Sequence, residues 1–218
     1  MKRILCYGDS NTWGHDPTTI DPKTGAFCRY GETVRWTGVM QEALGEGYFV
    51  CEEGLCGRTT VFEDPTHYGW NGYTHFEVAF KTCDPVDAII FMLGTNDSKD
   101  MFNASADMIT SGMQRLLRNC QNLVRDSLRP DAKIIIACPL KPIMAGNGTY
   151  FYDFSEKSTE KIEKMHDTYK ALAERSGCTF FDVNDFGTAD PADGVHMDAD
   201  SHRRVGLALA DVVRGLLE

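Results

Sequence analysis

Five short apolar runs punctuate the chain: Arg3–Tyr7, Tyr48–Cys51, Ala88–Leu93, Lys133–Cys138 and Thr179–Asp182. Three are continuous rather than alternating, among them Ile89-Ile90-Phe91-Met92-Leu93 and Ile134-Ile135-Ile136-Ala137. An unbroken apolar run of this length suits a strand covered on both faces, as inside a parallel sheet. Between the runs, apolar positions fall at helical spacing. Thr33–Leu44 sets Val34, Val39, Met40 and Leu44 near one face. Ala104–Leu128 carries Met108, Met113, Leu116, Leu117, Cys120, Leu123 and Val124, and its Met-bearing face reads as core. Glu156–Ser176 places Ile162, Met165, Tyr169 and Leu172, with a solvated mixed-charge face from Glu156 to Lys164. Ser201–Leu217 places Val205, Leu209, Val212, Val213 and Leu216. Strands alternating with helices predict an α/β fold on a five-stranded parallel sheet.

Three stretches are less regular: His15–Glu32, Phe62–Thr74 and Pro139–Ser155. Each follows a strand-like run or a motif on its C-terminal side. In open α/β sheets the ligand crevice lies outside the carboxyl ends of the strands, and long loops there are usually functional. These loops are rich in aromatics. Trp13, Tyr68, Trp70 and Phe151 are the expected lining of a substrate cavity. Loop packing or a subunit interface accounts for such residues equally simply.

Composition narrows the picture. The 218 residues fit one domain spanning 1–218, and 42% apolar with 25% charged residues excludes a disordered or fibrous chain. The net charge of −10 gives no general attraction for nucleic acid. No apolar run reaches the about 18 residues of a membrane span. Met1 to Tyr7 is too short an apolar stretch for an export signal. The eight cysteines form no C-x-x-C pair, and several lie in apolar runs. Free thiols in a reducing, cytoplasmic compartment are expected, with no disulfides.

The chemistry-bearing residues follow the runs. The first run ends in Gly8-Asp9-Ser10-Asn11-Thr12-Trp13-Gly14. A serine there sits at the carboxyl edge of a strand. If a helical turn follows, its free N–H groups can meet an oxyanion. A helix-capping serine is the ordinary alternative. The second run leads to Gly57-Arg58-Thr59, where Gly57 can bring a backbone N–H close to a ligand. The third ends in Leu93-Gly94-Thr95-Asn96-Asp97, where Asn96 offers a neutral donor or makes an Asx turn. Near the C-terminus, Asp193 and His196 stand three apart in a loop containing Gly194. A nucleophilic serine needs a base and a carboxylate to orient that base. Asp9 and Asp97 are expected to hydrogen-bond their loops. His15, His67 and His75 read as loop or helix-surface residues.

Together these blocks resemble the GDSL-type esterases of the SGNH hydrolase superfamily: Gly8-Asp9-Ser10, then Gly57 with Thr59, then Gly94-Thr95-Asn96-Asp97, then Asp193-Gly194-Val195-His196. The resemblance runs from Lys2 to Leu217. It looks closest to the mycobacterial arylesterase and acyltransferase branch, through Lys2–Cys6, Val34–Val39, Glu52–Leu55, Arg58–Thr60, Asp64–Thr66 and Val205–Ala210. It implies a flavodoxin-like three-layer α/β/α sandwich. It implies Ser10 as nucleophile, His196 as base and Asp193 as its orienter, with an oxyanion hole from the N–H groups of Ser10 and Gly57 and the Asn96 side chain. It implies a hydrolase of small aryl or acetyl esters with no metal and no cofactor, acyl transfer to alcohols as a companion reaction, and a homo-oligomer. Carbohydrate acetyl esterase, thioesterase and lysophospholipase activities belong to the same superfamily. The chain departs at Glu52, where many members carry Asn, and at Asn11, where Leu is commoner.

Two readings of other classes compete. His196, Asp198, Asp200 and His202 alternate as a metal cluster would, but a helix from Ser201 onward carries His202 away. A non-catalytic binding module on the same fold needs none of the four blocks, and the chain keeps all of them.

Overall fold

The computed structural model describes residues 1–21 and 23–218. All five apolar runs are strands: β1 (Lys2–Gly8), β4 (Tyr48–Gly54), β5 (Ala88–Met92), β6 (Lys133–Cys138) and β7 (Thr179–Asp182). They form one parallel sheet in the order β4-β1-β5-β6-β7. The helices are α1 (Ser10–Trp13), α2 (Trp36–Leu44), α3 (Gly72–Cys83), α4 (Ala106–Arg125), α5 (Glu156–Arg175) and α6 (Ala199–Leu217).

Successive side chains of a strand point to opposite faces. Leu5, Tyr7, Ile89, Phe91, Ile134 and Ile136 therefore pack with α3, α4 and α5. Ile4, Cys6, Ile90, Met92, Ile135 and Ala137 pack with α2 and α6 on the other side. Two helical layers make both strand faces apolar, which is why the runs do not alternate. The chain leaves β1 for the edge strand β4 and then returns past β1 to β5. That reversal makes the topological switch point where a crevice opens.

The helix starts are set by local chemistry. Asp198 accepts from the Ser201 N–H and starts α6 two residues before the periodic pattern does. Ser105 caps α4 through the Met108 N–H. Met108 itself is 52% exposed, so it leaves the core face of α4, which runs through Ala106, Ile109, Met113 and Leu116.

The pattern passes over two features. Helix α3 has Phe76, Ala79, Phe80 and Cys83 on one buried face, with Asn71 capping it through the Tyr73 and Thr74 N–H groups. A two-stranded hairpin, β2 (His15–Ile20) with β3 (Phe27–Arg29), occupies the first irregular stretch.

The cysteine expectation is corrected. Cys51 on β4 and Cys83 in the last turn of α3 form a disulfide, with Cα atoms 6.7 Å apart. Helix α3 brings the two together across 32 positions, a spacing that carries no motif. The compartment argument built on eight free thiols loses its premise. Among the described residues, no helix is long and apolar enough to cross a membrane.

Candidate active site

Strand β1 stops at Gly8, and the Asp9 carboxylate accepts the Asn11 N–H at 3.0 Å, which starts the short turn of α1. Ser10 is thereby the first residue of a helical turn at the carboxyl edge of the sheet, almost buried. Two elements supply its partners. The loop before α6 turns back on itself at Gly194, where φ is +76° and a Cβ would meet the Ile143 carbonyl oxygen at 2.1 Å. Only glycine fits there. The turn presents one oxygen of Asp193 to the N–H groups of Val195 and His196, at 2.8 and 3.0 Å. The other oxygen lies 2.6 Å from His196 Nδ1. His196 Nε2 lies 2.9 Å from Ser10 Oγ. An ionised carboxylate only accepts, so Nδ1 carries the hydrogen and Nε2 accepts from the serine hydroxyl.

Burial pushes the Asp193 carboxyl up, but the His196 hydrogen bond, its charge and the backbone donors outweigh that and hold it below the ordinary value. Asn11 stitches the two halves together. Its Nδ2 donates to the Val195 carbonyl at 3.3 Å and its Oδ1 accepts the Met197 N–H at 2.9 Å.

The remaining predicted donors reach the same place. Gly57 (φ +82°) lines the cavity beside Ser10, and a Cβ there would strike the Trp70 ring at 2.4 Å. Asn96 opens a helical turn just past β5, and its Nδ2 donates to the Arg58 carbonyl at 3.1 Å. Asp97 accepts from the Thr60 N–H at 2.9 Å and from the Thr60 hydroxyl, binding the third block to the second. Burial raises its pKa to about 6, with the Thr60 bonds opposing. Asp9 and Asp97 thus hold loops, as expected. Glu52, the departure on β4, receives the Arg35 guanidinium at 3.0 and 2.6 Å together with the Thr37 hydroxyl.

The cavity is about 370 Å³ and is lined by Ser10, Gly57, Asn96 and His196. Trp13, Trp70 and Phe151 also line it. Tyr68 does not: it is 99% exposed, while the half-buried Trp70 and the exposed His67 of the same loop border the cavity. His67 stacks on Trp70 at 3.8 Å, and Lys99 sets its ammonium over the Trp70 and Phe154 rings. His15 is no surface residue either; it is buried against His196. His75 is a half-buried residue of α3, as read. The sequence gives no sign of the places of Asn11 and His15, because Val195, His196 and Met197, beside which they lie, are more than 180 positions away.

The alternating His/Asp cluster does not converge. Asp198 caps α6, Asp200 pairs with Arg203 and Arg204, and His202 accepts the Trp36 N–H through Nδ1 at 3.2 Å. His15, Asp193 and His196 do bring three ligand-type atoms within 4.8 Å. The two imidazoles are stacked at 19°, however, so their in-plane lone pairs do not meet at one point. Nδ1 of His196 is already taken by Asp193.

A hydroxyl, an imidazole and a carboxylate in one hydrogen-bonded row, at the switch point of a doubly wound sheet, is the arrangement of serine-dependent acyl hydrolases. The model of the GDSL-like lipase/acylhydrolase family matches residues 6–204, and the chain belongs to that family. It is a carboxylic ester hydrolase. Solved structures agree across the whole length. The aryl esterase of M. smegmatis is 35% identical, with a TM-score of 0.90 and all of both chains covered. Est24, a carbohydrate acetylesterase from Sinorhizobium meliloti, is 33% identical at a TM-score of 0.88, covering 99% of this chain and 100% of its own. A carbohydrate acetylesterase family member from the same organism is 35% identical at 0.86, covering 100% of this chain and 99% of its own. No curated protein sequence matches the chain.

Proposed function

We propose that the protein cleaves small carboxylic esters, aryl or acetyl, through an acyl-enzyme on Ser10. The observation that carries this reading is the row from Ser10 Oγ to His196 to Asp193, with links of 2.9 and 2.6 Å. His196 takes the Ser10 proton as the oxygen attacks the ester carbonyl. The negative charge that builds on the carbonyl oxygen is met by the N–H groups of Ser10 and Gly57 and by Asn96 Nδ2. His196 then gives its proton to the leaving alcohol. Water, or a second alcohol, attacks the acyl-enzyme with its proton going to His196. Water yields the acid; an alcohol yields a new ester. Each step is a proton transfer or an acyl transfer, and none calls on a metal or cofactor.

The walled cavity of about 370 Å³ supports short acyl groups. Its aromatic lining supports an aryl leaving group, and the two kinds of neighbour support aryl and acetyl esters alike. The test is Ser10→Ala with p-nitrophenyl acetate. Turnover should fall on the order of 10⁴-fold or more. A fluorophosphonate should label the wild-type chain at Ser10 and leave the variant unlabelled. Undiminished turnover in the variant rejects the reading.

A further inference from the structure

The reaction gives no task to the β2–β3 hairpin, yet the hairpin lies against the base. His15, its first residue, is 6% exposed. Its ring lies on the ring of His196 with centroids 3.8 Å apart and planes 19° from parallel. Behind it stands Phe27 of β3, at 4.7 Å. Phe151 meets both Phe27 and His196 edge-on, at 6.0 and 5.8 Å. His15 Nε2 is buried without a hydrogen-bond partner, 4.0 Å from Asp193 Oδ2. A buried polar atom left unpaired is costly, and its retention calls for an explanation. Burial first, and then the neighbouring His196, bring the His15 pKa down to about 4, against Asp193 and Asp16. Its ring is therefore neutral near neutral pH and does not contest positive charge on His196.

The base needs such a support. Asp193 and Ser10 hold its two nitrogens on opposite sides of the ring. Both hydrogen bonds tolerate a rocking of the ring about the line that joins them. That rocking spoils the second half of the reaction, in which Nε2 must re-aim from Ser10 to the leaving oxygen. Contacts on the faces of the ring resist it.

We propose that His15 is a positioning residue: the hairpin lays its ring flat on one face of His196, Phe27 backs it, and the plane of the base is held for proton transfer in both directions. The proposal rests on the reading of His196 as the base of Ser10. His15 acts through His196 and exchanges no proton itself.

The test uses the full-length protein and p-nitrophenyl acetate. His15→Leu keeps most of the volume and loses the flat face, whereas His15→Phe restores the face. For His15→Leu we expect kcat to fall roughly 10-fold with KM within about twofold, because misaligned catalytic groups lose rate rather than binding. His15→Phe should recover to within about threefold of wild type, since ring stacking is what is kept. The rate of fluorophosphonate labelling at Ser10 should follow the same order. Equal kcat in the Leu and Phe variants shows that volume alone suffices and overturns the proposal. A rise in KM at unchanged kcat shows a substrate contact and does the same. If His15→Leu does not fold, Phe27→Leu carries the comparison, because Phe27 is 39% exposed on the cavity wall and its truncation opens to solvent rather than leaving an enclosed void. Its kcat should fall about two- to threefold, within the range of one lost aromatic pair; an unchanged kcat overturns the proposal. Ser10→Ala and His196→Ala run alongside. Turnover surviving in either rejects the base reading. Turnover lost in both, with His15→Leu as fast as wild type, rejects the positioning role alone.

Discussion

Asn96 offers a donor whose value changes during the reaction. At rest its Nδ2 is engaged by the Arg58 carbonyl at 3.1 Å. On the proposed mechanism its use to a substrate begins when the carbonyl oxygen becomes an oxyanion. Asn96→Ala should therefore cost roughly 10²–10³-fold in kcat with little change in KM. Steady-state kinetics over a tenfold range around KM checks this. A large rise in KM at constant kcat would assign Asn96 to anchoring the substrate. Ser10, Gly57, Asn96, Asp193 and His196 were legible because each follows a strand or sits in a glycine turn. Tyr68 was misread because loop position says nothing of which way a side chain faces. Asn11 and His15 carry no local sign, since each acquires its role only when residues 195–197 arrive beside it.

Helices α2 and α6 meet through a buried histidine. His202 of α6 is fully buried and accepts the Trp36 N–H at the start of α2 through Nδ1. That role needs a neutral ring. Burial lowers its pKa from 6.5 to about 3, aided by His196 and Arg35 and opposed by Asp198. Below pH about 6.5 the unfolded chain takes up a proton that the folded chain refuses until about pH 3. Stability must therefore fall as pH drops through that window. Urea unfolding of the wild type should show the midpoint dropping from pH 7 to pH 4.5. His202→Gln keeps an acceptor for Trp36, so its midpoint should drop less steeply over the same range. An equally steep drop would place the linkage elsewhere. At this scale the sequence pattern did well for the main sheet, because two helical layers force unbroken apolar runs. It passed over α3, although Phe76, Ala79, Phe80 and Cys83 repeat at helical spacing, because the aromatic loop before it hides where the period begins. It passed over β2–β3 because strands of six and three residues with mostly exposed or half-buried side chains leave no apolar signature. The disulfide was out of reach for the same reason as α3: without that helix, nothing places Cys83 beside Cys51.

The whole molecule leaves large apolar groups in solvent, one of them at the cavity mouth. Tyr68 is 99% and Tyr152 80% exposed, and Tyr152 borders the cavity. Met144 stands 54% exposed in the Pro139–Ser155 stretch. Such groups suit association with a second copy, for which closed symmetry is the usual outcome. The protein is expected to form a homo-oligomer whose neighbouring subunits wall the mouth and restrict it to small esters. Light scattering at micromolar concentration, with activity measured on the same sample, decides it. A fully active monomer refutes both the assembly and the restriction, and larger esters then become accessible.

The Asn11 bridge has a consequence for how the enzyme comes into being. Ser10 leaves the ribosome more than 180 residues ahead of Asp193 and His196. All five strands of the sheet precede residue 193, so the sheet can be made while the serine still has no base. A chain stopped short of residue 193 would carry all five strands of the sheet and no base for Ser10. Asn11 reads the arrival of that final loop directly, through the Val195 carbonyl and the Met197 N–H. On the proposed mechanism competence thus waits for the loop at residues 193–197, and a chain without that loop has no base for Ser10.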